Sequence, residues 1–161
     1  MYYALNRAIN SKRTGKNYTV HRFVDNKYLQ ATFNFIPSYD IYYNLSMIRK
    51  QIGMIKIEKA FMSCYMTKKH HIERNIKLEI KIPKGSKAYI TRNKEESEII
   101  LPCNTRYKII WADIINNIIQ IGIDILFSEE EDLVSNLSGK SISWTNKDFA
   151  NKFNFENSFN N

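Results

Sequence analysis

The chain has 161 residues, a length typical of one compact domain. Hydrophobic residues make up 43% of it, with only 5 Gly and 3 Pro, which excludes a collagen-like or largely disordered protein. Lys and Arg number 24 against 16 Asp and Glu, and the resulting formal charge of +8 favours a polyanionic partner such as a nucleic acid, nucleotide phosphates or an acidic protein surface. A solvated basic surface without a specific partner explains this charge equally well.

The cysteine count and the hydropathy pattern indicate where the protein acts. Cys64 and Cys103 are too few for a disulfide scaffold or a four-thiolate zinc site, which favours a reducing compartment. Polar residues interrupt the most hydrophobic stretch, 109–127, so no apolar run reaches the roughly 20 residues of a membrane span. The first residues also lack the apolar region of a signal peptide. We therefore expect a cytoplasmic protein, in a bacterial cell or in a host cytosol, with no membrane span.

The first half of the chain predicts short helices and strands. Residues 18–24 alternate as a strand, which places Arg22 on one face together with apolar side chains. The aromatic stretch 29–43 contains Pro37 and is predicted to be a loop or a broken strand. The other elements expected here are a helix at 1–10, a helix at 45–51 and a strand at 55–66.

The second half of the chain predicts β-structure. Residues 76–82 form the clearest strand, because Ile and Leu alternate with Lys and Glu. Asn116 and Asn117 predict a hairpin turn, since Asn tolerates positive φ. The remaining expected elements are strands at 88–91, 99–102, 106–115 and 118–127 and a short helix at 145–153. These elements predict an α+β fold in a single domain, 1–161, with a core at 5–127 and a helical, frayed tail at 128–161.

Several polar residues near the predicted strands are candidates for chemistry. Glu96 and Glu98 point to the same side of an extended segment, and two such carboxylates suit proton transfer or stabilisation of a cationic transition state. The planar guanidinium of Arg22 can clamp a diphosphate, and Ser63 can hydrogen-bond a carboxylate or a ribose hydroxyl. Each residue also has an ordinary structural explanation: a solvated charged turn, a surface ion-pair partner or a small strand residue.

Taken in order, these residues and their neighbours resemble the bacterial exoenzyme type of mono-ADP-ribosyltransferase. That family is defined by an Arg on an early strand, a Ser-Thr-Ser motif after an aromatic residue, and a Glu-x-Glu or Gln-x-Glu motif before an apolar strand. The resemblance covers residues 5–110 and implies a mixed β-sandwich core with short flanking helices. The matching segments are 5–9, 19–22, Gly53 with 60–64, 80–85 and 96–102.

The resemblance implies a role for each matched residue. Arg22 would hold the NAD diphosphate, and Ser63 would position the catalytic glutamate in an NAD site that Phe61 also lines. Glu98 would bond the nicotinamide ribose and stabilise the oxocarbenium ion, while Glu96 would orient and deprotonate the acceptor side chain. A Glu at position 96 resembles the arginine-modifying subgroup, because a carboxylate pairs with a guanidinium through two hydrogen bonds.

The sequence departs from the family pattern at Cys64 and Tyr65, where the family has Thr and Ser. The hydrogen bonds of those hydroxyls are then absent or supplied by the Tyr65 phenol, which affects the rate more than the fold. His70 and His71 lie where the family has a flexible loop over the nicotinamide. Adjacent His side chains point to opposite sides of a strand and the sequence offers no third ligand, so we expect surface residues or nucleotide contacts rather than a metal site.

The sequence therefore predicts an NAD-dependent mono-ADP-ribosyltransferase that modifies a protein, most simply at an arginine, with NAD as a substrate and no metal. The resemblance implies a toxin, and we also consider a phage or mobile-element effector that inactivates a host target, including a host-defence complex. Because NAD accounts for little of the +8 charge, we expect a target that is acidic or associated with nucleic acid. The alternative is a catalytically weak module of the same fold that binds nucleic acid or an acidic protein.

Overall fold

The computed structural model describes residues 2–66, 74–92 and 97–126, all within one compact unit, residues 1–126. These residues form a sheet of eight strands with short helices beside it. The strands are β1 (Tyr18–Val24), β2 (Ile55–Glu58), β3 (Met62–Tyr65), β4 (Ile76–Ile82), β5 (Tyr89–Arg92), β6 (Ser97–Leu101), β7 (Thr105–Ile115) and β8 (Ile118–Ile125). The helices are α1 (Tyr2–Ser11), α2 (Asn26–Tyr28), a π-helical turn (Leu29–Phe33) and α3 (Ile41–Arg49).

The sheet is mixed and has the strand order β2-β7-β8-β4-β1-β3-β6-β5. Neighbouring strands are antiparallel except β4 and β8, which are parallel. β1 pairs with β4 along its whole length, but with β3 only through His21 and Tyr65. The sheet therefore has two parts, of five and three strands, that are joined at this one residue pair. The predicted α+β class with a mixed β core and short helices is confirmed.

The core is built on the apolar sides of the central strands. In β4 the alternating residues Ile76, Leu78, Ile80 and Ile82 are all buried, as the alternating sequence predicts. β4 lies between β1 and β8, so its backbone hydrogen-bonding groups are paired on both sides. Helical residues that join the same core are Leu29, Phe33, Leu45 and Ile48.

Most predicted elements are confirmed, with ends that shift by about two residues at most. They are the helix at 1–10 and the strands at 18–24, 76–82, 88–91, 99–102, 106–115 and 118–127. Asn116 and Asn117 adopt positive φ in the β7–β8 turn, as predicted. The predicted tail at 128–161, with its helix at 145–153, lies outside the described residues. No helix in the described part of the chain has the length and apolar character needed to cross a membrane.

The prediction of a loop or a broken strand at 29–43 is correct for residues 34–40, which form a loop, and wrong at both ends, which are helical. Asp25 accepts a hydrogen bond from the backbone N of Lys27 (2.9 Å) and starts α2, which continues directly into the π-helical turn. The turn ends at Asn34, which has φ 57°. Of the aromatic residues in this segment, Phe33 lies in the π-helical turn, and Tyr42 and Tyr43 lie in α3. Leu29 and Phe33 reach the core.

The predicted helix at 45–51 begins earlier, at residue 41. Asp40 caps α3 by accepting a hydrogen bond from the backbone N of Tyr42 (3.0 Å). Asn44 also fixes the preceding loop, since its side chain both accepts from and donates to the backbone of Ser38. Aspartate is a preferred N-cap residue, so Asp40 was a sequence signal for this helix start. The aromatic residues around it favoured a loop or a strand instead.

The predicted strand at 55–66 is two strands with different partners. β2 pairs with β7 at one edge of the sheet, whereas β3 pairs with β6 in the three-strand part. Residues 59–61 connect them, and the carboxylate of Glu58 accepts a hydrogen bond from the backbone N of Ala60 (3.4 Å). Both strands fit an extended pattern, so the pattern alone does not separate them. Because β3 separates from β2 at residues 59–61, it can pair beside β1, and this places Ser63 next to β1.

Candidate active site

Three adjacent strands bring together three of the predicted site residues. Arg22 lies on β1, Ser63 on β3 and Glu98 on β6. In the antiparallel pair of β3 and β6, Ser63 is opposite Ile100 and Tyr65 is opposite Glu98. Ser63 and Glu98 are therefore diagonal neighbours on one face of the pair, a separation that side chains bridge readily. The Ser63 hydroxyl donates a hydrogen bond to Oε2 of Glu98.

Arg22 connects the cluster to the larger part of the sheet. Its side chain is half-buried, and Nη1 donates a hydrogen bond to the backbone carbonyl of Ser63 (3.2 Å). This contact lies beside the single His21 and Tyr65 pair that joins β1 to β3. A guanidinium carries five N–H donors, so this bond leaves most of its hydrogen-bonding capacity for other acceptors. The arginine therefore stabilises the junction and places a cation beside Ser63.

Thr91 holds the backbone of Glu98 from the other side, a contact that the sequence did not predict. It lies directly opposite Glu98 in the pair of β5 and β6, and its hydroxyl donates to the Glu98 carbonyl (3.4 Å). The backbone of Glu98 is thus anchored by one strand and its carboxylate by another. A predicted pairing register for β5 and β6 would have placed Thr91 opposite Glu98 and so indicated this contact.

The departure from the family motif at Cys64 falls on the core side of β3. Cys64 alternates with Ser63 and is fully buried, with its thiol near the carbonyl of Met62 (3.8 Å). Burial raises the pKa of the Cys64 thiol to about 12; nearby Arg22 opposes this rise and Glu98 adds to it. The thiol is therefore a neutral core group at physiological pH and does not act as a nucleophile.

Two further predicted site residues are Phe61 and Glu96. Phe61 is half-buried and lies directly before β3, two residues from Ser63. Glu96, the acceptor-binding glutamate of the prediction, lies outside the described residues, and so do His70 and His71. Within the described ranges, no group of three His, Cys, Asp or Glu side chains is placed to hold a metal ion.

The arrangement suits the cleavage of a glycosidic bond next to a phosphate group. A carboxylate fixed by a neighbouring hydroxyl stabilises positive charge that develops on a sugar ring without having to reorganise during the reaction. A guanidinium matches the oxygens of a diphosphate through its planar set of donors. Glu98 and Arg22, linked through Ser63, supply both features within one cluster.

Solved structures of ADP-ribosyltransferases have the same fold as this chain. C3larvin toxin from Paenibacillus larvae is 20% identical, with a TM-score of 0.63 over 77% of this chain and 68% of that chain. The C3 exoenzyme of Clostridium limosum is 20% identical, with a TM-score of 0.67 over 77% and 66%. C3stau2 from S. aureus, solved with NAD, is 20% identical, with a TM-score of 0.65 over 78% and 69%. The chain thus has the ADP-ribosyltransferase fold.

A family model described as ADP-ribosyltransferase exoenzyme matches residues 3–135, which is most of the chain. The chain therefore belongs to the ADP-ribosyltransferase exoenzyme family, as its sequence motifs predict. It is an NAD-dependent mono-ADP-ribosyltransferase, and NAD is its substrate. A comparison with curated protein sequences finds no match.

Proposed function

We propose that the chain transfers ADP-ribose from NAD to an arginine side chain of a host protein. The observation that carries the proposal is the hydrogen bond from Ser63 to Glu98, beside the Arg22 guanidinium. The cluster brings together the strand arginine, the first serine of the Ser-Thr-Ser position and the last glutamate of the Glu-x-Glu motif, which supports the proposal.

In the proposed reaction, Glu98 acts at the ribose that carries nicotinamide. The bond between the ribose C1 carbon and the nicotinamide nitrogen breaks, and nicotinamide leaves with the bonding electron pair. Positive charge develops on the ribose ring, where the Glu98 carboxylate stabilises it. Ser63 keeps the carboxylate in position, Arg22 binds the diphosphate, and Phe61 lines the NAD site.

Glu96 acts on the acceptor in this proposal. A nitrogen of the acceptor guanidinium bonds to the ribose C1 carbon, and its proton passes to the Glu96 carboxylate. The support is the sequence, since a carboxylate at position 96 pairs with a guanidinium through two hydrogen bonds, whereas an amide lacks the charge for this pairing. Glu96 precedes Glu98 by two residues, a spacing that puts both side chains on the same side of an extended segment.

The test compares Glu96→Ala and Glu98→Ala in the full chain. Both variants receive NAD alone and then NAD with agmatine, a small molecule that carries the guanidinium of arginine. We expect Glu96→Ala to release nicotinamide but to leave agmatine unmodified, and Glu98→Ala to do neither. Modification by the wild type of a residue other than arginine, mapped by mass spectrometry in a host lysate, would exclude the arginine acceptor while leaving NAD cleavage intact.

The proposed biological role is that of a toxin, or of a phage or mobile-element effector that inactivates a host target such as a defence complex. Family membership and the likeness to toxin structures support the broader role of a toxin. Expression of the wild type in host cells should then arrest growth, and expression of Glu98→Ala to the same level should not. Equal growth of both cultures would contradict this role.

The second candidate function is a catalytically weak module that binds nucleic acid or an acidic protein. The net charge of +8 and the Cys64-Tyr65 departure favour it. This function predicts no release of nicotinamide from NAD, together with nucleic-acid binding that NAD does not change. Measurable turnover of NAD by the wild type that Glu98→Ala abolishes would exclude it.

A further inference from the structure

A basic surface lies at the start of β1, about 13 Å along the strand from Arg22 at the usual rise per residue. It is formed by residues 12–17, before β1, and residues 81–87, at the end of β4. The backbone N of Thr14 donates to the carbonyl of Ser86, and the backbone N of Gly85 donates to the carbonyl of Thr14, both at 2.9 Å. Thr14 and Ser86 are buried, so the two segments form one fixed frame.

The frame carries a concentration of positive charge that the NAD site does not use. Neither segment contains an acidic residue. Five of their six cations are exposed, and the sixth, Lys87, is half-buried. The cations are Lys12, Arg13, Lys16, Lys81, Lys84 and Lys87. Six of the 24 Lys and Arg residues of the chain are thus held side by side, which gives this surface a strongly positive potential.

A cleft of about 450 Å³ opens within this surface. Its walls include Tyr18, Lys81, Pro83 and Asp124. The Tyr18 ring is half-buried, and Nζ of Lys16 lies 5.2 Å from its centroid. Asp124 is the acidic member of the lining and is next to Lys81 in the register of β4 and β8, where it offsets part of the charge. The cleft therefore combines an aromatic side chain and Lys81 in its lining, and Lys16 and Lys84 are the chain neighbours of the lining residues Asn17 and Pro83.

We propose that this cleft binds single-stranded nucleic acid. In proteins that bind single strands, aromatic side chains stack on bases while a positively charged groove follows the phosphates. Tyr18 supplies an aromatic side chain in the lining for stacking, Lys81 supplies a cation there, and Lys16 and Lys84 add positive charge beside the lining residues Asn17 and Pro83. An acidic protein segment would use the lysines without needing the ring, and a flat lipid surface would not enter a concave cleft. The function goes beyond ADP-ribose transfer: it brings the enzyme to targets that carry nucleic acid.

The test measures binding of the full chain to a fluorescent, mixed-sequence single strand of about 15 nucleotides, close to the longest sites of such proteins. Fluorescence anisotropy is followed from about 50 to 200 mM salt, where each phosphate contact contributes about −0.7 to the slope of log K against log salt. We expect Lys16→Gln/Lys84→Gln to bind more weakly, with a slope shallower by about 1.4. The matched control Lys27→Gln/Lys59→Gln makes the same charge change outside the frame and should bind almost as the wild type does.

Two further variants separate stacking from charge. Tyr18→Leu keeps an apolar side chain but removes the aromatic plane, so we expect about tenfold weaker binding with an unchanged salt slope. Asp124→Asn removes the carboxylate from the cleft, and binding should tighten. Circular dichroism and NAD cleavage check that each variant is folded. A wild type without NAD cleavage would contradict the proposed transferase reaction and leave the binding result standing.

Three results would overturn the proposal. One is no binding of the single strand by the wild type at about 50 mM salt, where phosphate contacts are strongest. Another is equal weakening by the Lys16/Lys84 and Lys27/Lys59 pairs, which would mean that net charge alone acts. The third is unchanged binding by Tyr18→Leu together with equal competition from polyglutamate or phosphatidylserine vesicles, which would assign the surface to a different polyanion.

Discussion

The hydroxyl of Ser63 holds the carboxylate of Glu98 through a diagonal contact across β3 and β6. The backbone carbonyl of the same serine accepts a hydrogen bond from Arg22 on β1. Ser63 therefore contacts Arg22 through its backbone and Glu98 through its side chain. A side-chain substitution can remove the contact with Glu98 and keep the contact with Arg22.

Glu98→Gln should abolish most NAD cleavage without unfolding the protein. The amide keeps the shape of the side chain but loses the charge that stabilises the ribose cation, and loss of one such stabilising group lowers kcat by about 10²–10³. Nicotinamide release measures the activity, and thermal unfolding measures the stability. Glu79→Gln, at a half-buried glutamate on β4, is the matched control and should retain activity. Comparable loss in both variants would contradict the role of Glu98.

Ser63→Ala should lower kcat by about tenfold to a hundredfold, because hydrogen bonds to charged groups contribute about 1.5–3 kcal/mol. The backbone carbonyl that accepts from Arg22 remains in this variant, so the KM for NAD should change little. Steady-state kinetics of nicotinamide release separate the two parameters. A rise in KM at constant kcat would mean that Ser63 acts in NAD binding and not through Glu98.

Parts of this site follow from sequence because strand alternation is a local property. Alternation places Arg22 among apolar residues of β1, and it also explains why Cys64, next to Ser63, is buried in the core. The pairing of strands is not local. The family resemblance implies that Ser63 positions Glu98, but the residues alone do not state that β3 has β6 as its partner. The diagonal geometry of this contact and the anchoring by Thr91 become visible only in the sheet.

Stability should fall as the pH rises above about 10, because of the buried pair Tyr28 and Tyr107. Their hydroxyls lie 2.9 Å apart, and burial raises the pKa of both phenols above the ordinary value of about 10. Above that pH the unfolded chain loses protons that the folded chain retains, so unfolding becomes more favourable, by up to about 1.4 kcal/mol per pH unit for each phenol.

Urea unfolding at a series of pH values from 8 to 11 measures this dependence. The variant Tyr28→Phe/Tyr107→Phe removes both ionisable groups and should lose stability more gradually over the same range. Both proteins share the loss due to Cys64, because its buried thiol has a pKa of about 12 whereas the unfolded thiol ionises near pH 9. The two profiles should therefore run parallel below about pH 10, where the phenols are protonated in both states. Parallel profiles above pH 10 would show that other groups cause the alkaline loss.

Gly122→Ala should destabilise the fold by about 1–3 kcal/mol, the usual range for overpacking. Gly122 lies opposite Trp111 where the pairing of β7 and β8 shifts register, and an added Cβ would overlap the indole ring. Gly15→Ala is the matched control, since a Cβ there would meet no atom within 4 Å. Urea denaturation measures both variants. Equal stability of the two would mean that the indole moves aside without loss of packing.

Arg22→Lys tests whether the guanidinium or only its charge is needed. Lysine keeps the positive charge, but it lacks the planar set of donors that reaches the Ser63 carbonyl and a diphosphate together. We expect the KM for NAD to rise about tenfold, as loss of one hydrogen bond to a charged group predicts, with a smaller effect on kcat. Arg49→Lys alters a similar contact, from Nε to the Ala112 carbonyl (3.0 Å), outside the cluster and should leave KM unchanged. An unchanged KM in Arg22→Lys would mean that the cation alone suffices for NAD, and the guanidinium would then act in joining β1 to β3.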